Sequence, residues 1–268
     1  MTLTPAQFAR AAAQEEGQQR VAALHRMSYA DLHRLLGDPK QAAVWIRSAA
    51  EQGTLPAAQL RLGRMLLEGI GVPKDAAEAF TWFERAASRG DAEAHNMIGR
   101  CLENGLGVVQ DFTKAAEHYR LSAEAGHDWG EYNFGNLLFD GRGIAQDPAQ
   151  ALRWYLKAAE QGHGRAMNLA GRCLEEGWGC ERSRVEAAYW YARSAETGYF
   201  RGQFNHALTL LDQGDAAQAV VWLAKAIESG DESLRRAVVG LLARATDPKL
   251  IDLRERVAAH SPGNRAKN

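Results

Sequence analysis

Arginine, asparagine and aromatic side chains recur at matched positions through the middle of the 268-residue chain. Guanidinium and carboxamide groups hydrogen-bond to carboxylates and peptide backbone, and aromatic rings serve as apolar anchors. This set favours recognition of one or more proteins or peptide segments, and the arginines favour an acidic or C-terminal segment. The candidate binding residues are Arg64, Asn96, Arg100, Trp129, Tyr132, Asn136, Arg165, Asn168, Arg172 and Phe204. The alternative, that these are solvated or packing positions, stays open because a sequence pattern places helix register only to within about a residue.

Catalytic signatures are missing from the sequence. None of the eight histidines belongs to an HExxH motif, and no nucleophile–base or paired-carboxylate motif departs from the repeated background. His127 and His163 occupy the same place in two neighbouring repeats, which leaves a metal-binding surface as an alternative. We predict a non-enzyme without cofactor or metal.

The charge balance argues against a nucleic-acid or membrane protein. Lysine plus arginine number 32 against 33 acidic residues, a net charge of −1, which gives no overall attraction to polyanions. A basic stripe of Arg64, Arg100, Arg165, Arg172 and Arg201 keeps nucleic-acid binding as a rival, but Glu103, Glu175 and Glu176 interrupt it. The sequence has no signal-peptide h-region and no run of 18 apolar residues. We expect a cytoplasmic protein that does not insert into membranes.

The elements that position these residues repeat every 36 residues. Glycine recurs at Gly63, Gly99, Gly135 and Gly171. A bulky ring pair recurs at Trp82 and Phe83, His118 and Tyr119, Trp154 and Tyr155, and Trp190 and Tyr191. Two short helices per period are typical of a solenoid, in which each repeat buries its apolar face on its neighbours.

Each repeat predicts a pair of helices joined by a G-x-G loop. The first helices are predicted at 56–68, 92–104, 128–140 and 164–176, and the second helices at 75–89, 111–125, 147–161 and 183–197. The glycine inside each first helix implies that the second helix packs there without room for a Cβ. The first loop glycine suits a left-handed helix end, and Asp75, Asp111, Asp147 and Ser183 are predicted N-caps.

The domain organisation follows from counting repeats. We predict an N-terminal capping helix (1–27), a degenerate unit (28–53), full units at about 54–90, 91–126, 127–162 and 163–198, a degenerate unit (199–230), C-terminal capping helices (231–260) and a disordered tail (261–268), with the solenoid covering 28–230. In the last degenerate unit, Trp222 and Gly230 follow Trp190 and Gly198 by 32 residues instead of 36. We attribute the four missing residues to a shorter loop between its two helices.

These motifs resemble the Sel1-like repeat family, which is related to the tetratricopeptide repeats. The resemblance is carried by the apolar-Gly first helix, the G-x-G-V-x-x-D loop and the W-[FY]-x-x-A-A-x-x-G ending, as in LGRMLLEGIGVPKDAAEAFTWFERAASRG (62–90). It implies an all-α, right-handed α/α superhelical solenoid that acts as a non-catalytic adaptor or scaffold. Some secreted bacterial members of the family are cysteine-rich and carry a disulfide in each repeat; the three irregular cysteines here favour a bacterial cytoplasmic member instead. We expect the first helices to form a concave groove that presents the candidate residues.

Overall fold

The computed structural model describes residues 15–20, 22–23, 37–53 and 56–259 of the chain. Within these ranges the regular structure is α-helical, as the repeat pattern predicts. The helices are α1 (Pro39–Gln52), α2 (Pro56–Glu68), α3 (Ala76–Ala87), α4 (Ala92–Asn104), α5 (Phe112–Glu124), α6 (Asp128–Asp140), α7 (Pro148–Glu160), α8 (Gly164–Glu176), α9 (Arg184–Glu196), α10 (Phe200–Asp212), α11 (Ala216–Ser229), α12 (Glu232–Ala243) and α13 (Pro248–Ala259).

The predicted helix bounds agree closely with the structure. The four first helices, α2, α4, α6 and α8, have the predicted ends, and the four second helices begin one residue later and end one or two residues earlier than predicted. The predicted N-terminal capping helix and the first degenerate unit lie partly outside the described residues. The predicted disordered tail lies wholly outside them.

The chain divides into two compact units. Of the described residues, unit 1 comprises those up to residue 137 and residues 141–145, and unit 2 comprises residues 138–140 and 146–259. In unit 1, helices α1 to α5 pack against one another in sequence order. In unit 2, helices α7 to α11 pack in the same consecutive way, and α8 also contacts α10.

The last two helices form part of the core of unit 2. Both α12 and α13 pack on α11 and on each other. Their buried side chains include Leu234, Val238, Leu242 and Leu253, which join Leu223 of α11 in one apolar cluster. The helices predicted as a C-terminal cap are therefore held by the same kind of apolar burial as the repeats.

The predicted caps are present at the second helices. Asp75, Asp111, Asp147 and Ser183 each accept a hydrogen bond from the backbone N–H three residues later. After α4, Gly105 is left-handed, with φ of 67°, and its N–H donates to the carbonyl of Cys101. Both kinds of cap satisfy backbone groups that the ends of a helix leave without partners.

The glycine that recurs inside the first helices is required by the packing of the second helix, as predicted. A Cβ on Gly99 would lie 2.6 Å from the ring of Tyr119, and one on Gly171 would lie 2.7 Å from the ring of Tyr191. The ring of Tyr119 is fully buried. The group that excludes the Cβ is thus the aromatic ring of the second helix.

Among the helices of the described ranges, none combines the length and the apolar character that a bilayer-spanning segment needs.

Candidate functional site

Unit 2 contains a cleft of about 240 Å³ between α8, α10 and α12. Its lining residues are Asn168, Arg172, Arg201, Phe204, Asn205, Ser233, Leu234 and Ala237. The structure therefore brings three of the predicted site residues, Asn168, Arg172 and Phe204, to one cavity. Helix α12 supplies the wall opposite the repeat helices.

A pair of asparagines connects the two repeat helices of the cleft. Asn205 of α10 donates from Nδ2 to Oδ1 of Asn168 on α8, at 2.8 Å. Asn168 is only 3% exposed, whereas Asn205 is half-buried. The buried carboxamide thus holds the more accessible one in a defined orientation.

Two arginines give the cleft its charge. Arg172 is exposed, and its guanidinium carbon lies 5.2 Å from the ring centre of Trp178. Arg201 pairs with Asp231 at 3.4 Å, and both side chains are about half exposed. An ion pair this exposed contributes little net stability.

Asp231 also has a structural role at the edge of the cleft. It is the N-cap of α12 and accepts a hydrogen bond from the N–H of Leu234 at 2.8 Å. That bond, followed by the charge of Arg201, lowers the pKa of Asp231.

Unit 1 has the same asparagine pair two repeats earlier. Asn133 of α6 donates to Asn96 of α4 at 2.8 Å, and Asn96 is 4% exposed. Arg64 forms an ion pair with Glu93. Arg100 is exposed, with one guanidinium nitrogen 3.5 Å from the sulfur of Met97.

The remaining predicted residues lie at the surface or partly beneath it. Trp129 is 41% exposed and meets Tyr132 edge-on, with ring centres 6.0 Å apart. Asn136 is half-buried. In unit 2, Arg165 is exposed and lies 5.9 Å from the ring centre of Tyr199, and it does not line the cleft.

Sequence reasoning missed half of the cleft. It did not single out Asn205, although Asn133 and Asn205 occur at the same place in their repeats and directly follow the predicted Tyr132 and Phe204. It also missed Ser233, Leu234 and Ala237, because α12 departs from the repeat pattern and was predicted only as a cap. No sequence signal shows that α12 faces α8 and α10.

His127 and His163 have structural positions as helix N-caps. The Nδ1 atom of His127 accepts from the N–H of Gly130 at 3.2 Å, and that of His163 accepts from the N–H of Ala166 at 3.1 Å. Asp91 fills the equivalent place before α4. Within the described ranges, no group of three or more histidine, cysteine or acidic side chains is arranged to hold a metal ion.

The His127 cap predicts a pH dependence of stability. Burial lowers the pKa of His127, and Arg64 lowers it further, while Asp91 and Asp128 act in the opposite direction. A lowered pKa means that the unfolded chain binds the proton more readily. Stability is therefore full above the unfolded pKa of about 6.5 and declines as the pH falls through the folded value.

We expect His127→Asp, which copies the Asp91 cap, to remove this contribution. Between pH 7.5 and pH 5 the wild type should lose about 1 kcal/mol more stability than the variant, the usual value of an N-cap. Urea unfolding at both pH values measures the difference. Identical pH profiles would contradict the role assigned to His127.

A family model described as the Sel1 repeat matches the chain six times. The matched residues are 21–54, 56–91, 92–127, 130–163, 164–199 and 198–231. Together they cover most of the chain.

Two solved structures are similar to this chain, and the first of them has the same fold. A Sel1 repeat protein from Oxalobacter formigenes is similar with a TM-score of 0.70 and 25% identity, over 83% of this chain and 96% of that one. A protective antigen of uropathogenic Escherichia coli strains has a TM-score of 0.48 and 28% identity, over 94% of this chain and 63% of the antigen.

One curated relative shares a short segment. The chitin synthase regulator SKT5 of Malassezia restricta is 40% identical over 58 residues, which are 22% of this chain. The chain spans only 4% of that regulator's length.

Proposed function

This chain belongs to the Sel1 repeat family, and from that premise we propose that it is a non-catalytic adaptor that binds a protein segment in the cleft of unit 2. Sel1 and related tetratricopeptide-like repeats generally mediate protein–protein interactions, and Sel1 repeat proteins are typically non-catalytic scaffolds. The observation that carries the proposal is the convergence of Asn168, Arg172 and Phe204 with Arg201 in one cavity.

The chemistry of the cleft favours an acidic or C-terminal segment. Of its eight lining residues, two are arginines and none carries a carboxylate. Arginine binds a carboxylate with paired, charge-assisted hydrogen bonds. Asn205 adds a carboxamide for peptide backbone, and Phe204 with Leu234 adds apolar surface for a neighbouring side chain.

The asparagines divide into two roles. Asn96 and Asn168 are buried, so their proposed role is to hold Asn133 and Asn205 through the 2.8 Å bonds. The other predicted binding residues do not line the cleft and remain predicted contacts to a partner: Arg64, Arg100, Trp129, Tyr132, Asn136 and Arg165.

A bacterial cytoplasmic location is part of the proposal. Cys101 and Cys173 are buried free thiols, and Cys180 is a free thiol near the surface. Cys180 Sγ lies 3.5 Å from the carbonyl oxygen of Cys173. Free thiols are usual in a reducing compartment.

The proposal is tested with a fluorescent peptide array. The array contains acidic segments and free C-termini, each with a matched peptide in which the acids become amides or the terminus is amidated. We expect binding to depend on the carboxylates. Arg172→Glu together with Arg201→Glu should weaken the best peptide at least tenfold, because each substitution replaces attraction by repulsion.

Arg153→Glu on α7 is the matched control, since Arg153 is exposed and does not line the cleft. It changes the charge by the same amount per site and should leave the affinity within about twofold. If Arg153→Glu weakens peptide binding as much as the double variant does, or if the double variant binds as the wild type does, the cleft is not the peptide-binding site. Salt-dependent binding of a duplex or single-stranded oligonucleotide, lost in the double variant, would favour the nucleic-acid alternative.

A further inference from the structure

Two histidines meet inside the helix pair α4 and α5 of unit 1. The Nδ1 atoms of His95 and His118 lie 3.1 Å apart, with ring centres at 5.3 Å and ring planes inclined by 33°. Both side chains are half-buried, so the pair is held by its surroundings and is still open to small solutes.

The pair is specific to this repeat. The place of His95 is taken elsewhere by Gln59, Glu131, Met167 and Gln203, and the place of His118 by Trp82, Trp154 and Trp190. The repeat fold therefore requires neither histidine. Their coincidence in a single helix pair calls for a separate explanation.

We propose that His95 and His118 form a two-histidine site for a divalent transition metal of the zinc class. Imidazole nitrogens bind Zn²⁺ at about 2.0–2.1 Å. Two ligands 3.1 Å apart then subtend roughly 100° at the metal, near the tetrahedral angle. The observed spacing needs little adjustment to accept the ion.

The protonation of the pair suits a cation. Burial lowers the pKa of both rings, and for His118 the neighbouring His95 lowers it further. Without metal, one Nδ1–H donates to the other Nδ1; on binding, that ring carries its proton on Nε2 instead, so both Nδ1 lone pairs are free and no net proton is released. Two negative charges act in the opposite direction: Asp91, the N-cap of α4, raises the pKa of His95, and Glu117, on α5, raises that of His118.

The site supplies two protein ligands. Since the described residues contain no cluster of three or more potential ligands, water completes the coordination. Metal sites with open positions exchange those waters for other donors. The bound ion is therefore exchangeable and accessible from solution.

Zinc binding by untagged, chelator-treated full-length protein tests the proposal. Titration with ZnCl₂ should show one site per chain by calorimetry, and CoCl₂ should give the visible d–d absorption of nitrogen-bound, low-coordinate cobalt. His95→Gln and His118→Gln should each weaken zinc binding at least tenfold. His95→Met with His118→Trp, which installs the residues of the equivalent Met167 and Trp190, should fold and leave no binding at this site.

His206→Gln is the control. His206 meets Trp222 edge-on in unit 2, with ring centres 5.4 Å apart, and its replacement should leave zinc binding unchanged. A wild type that takes up no zinc, or a Met/Trp variant that binds as the wild type does, would overturn the proposal and leave His95 and His118 as a hydrogen-bonded pair. Because the metal lies in unit 1 and the peptide cleft in unit 2, failure of either proposal is measured independently of the other.

Discussion

Gly107→Ala is expected to lower the stability of unit 1 by about 3 kcal/mol. Gly107 is the second glycine of its loop and has φ of +73°, where an alanine costs about 1–2 kcal/mol. A Cβ there would also overlap the backbone carbonyl group of Ala76, at the start of α3. Overpacking typically adds about 1–3 kcal/mol, and a backbone neighbour cannot rotate away as a side chain can.

Gly105→Ala is the matched control in the same loop. Gly105 also has a positive φ, of +67°, but the nearest atom to its Cβ is the Val108 carbonyl oxygen at 3.6 Å. Gly105→Ala should therefore lower stability only by the cost of a left-handed alanine backbone, about 1 kcal/mol. Urea unfolding of both variants, with hydrogen exchange of α3 and α5, measures the contrast. Equal losses would mean that contact between repeats contributes nothing at Gly107.

The same contact explains why the second loop glycine recurs. A Cβ on Gly71 would overlap the backbone of Pro39, one on Gly143 that of Phe112, and one on Gly179 that of Pro148 and Ala149. In every case the neighbour is the start of the second helix of the preceding repeat. The first glycine of the loop ends a helix, and the second allows one repeat to approach the one before it.

The helices were predictable from the sequence because the signals that define them lie within or next to each helix. The caps Asp75 and Asp111 and the apolar spacing act within a few residues, so the bounds of α3 and α5 follow from the sequence to within one or two residues. The packing of a second helix at Gly99 was also predictable, because glycine recurs at this place in the four full repeats, but the sequence did not identify the ring of Tyr119 as the contact.

The cleft was only partly predictable because it depends on helix orientation. Asn168 and Asn205 belong to successive first helices, and the sequence does not show that their carboxamides meet or that Asn168 is buried. A rotation of one residue about a helix axis exchanges a buried place for an exposed one. His95 and His118 were missed likewise, since the repeat pattern assigned His118 to an aromatic packing place.

Val238→Asp is expected to destabilise the C-terminal core of unit 2 by about 4 kcal/mol. Val238 of α12 is fully buried against the cluster that includes Leu223 and Leu242. A carboxyl group there loses its water without gaining a partner, and its pKa would rise because burial disfavours the charge. Since α12 also lines the cleft, the variant should lose peptide binding as well.

The neighbouring residue provides the control, because Val239 is 49% exposed on the same helix. Val239→Asp changes the sequence by the same substitution and should cost no more than about 0.5 kcal/mol, as is usual at a surface. Hydrogen exchange should show lost protection in α11, α12 and α13 for Val238→Asp, with α2 to α5 unaffected, because repeat arrays transmit stability mainly to their neighbours. If Val238→Asp and Val239→Asp behave alike, α12 is a loosely attached cap, and the cleft wall on which the peptide proposal depends is not formed stably in solution.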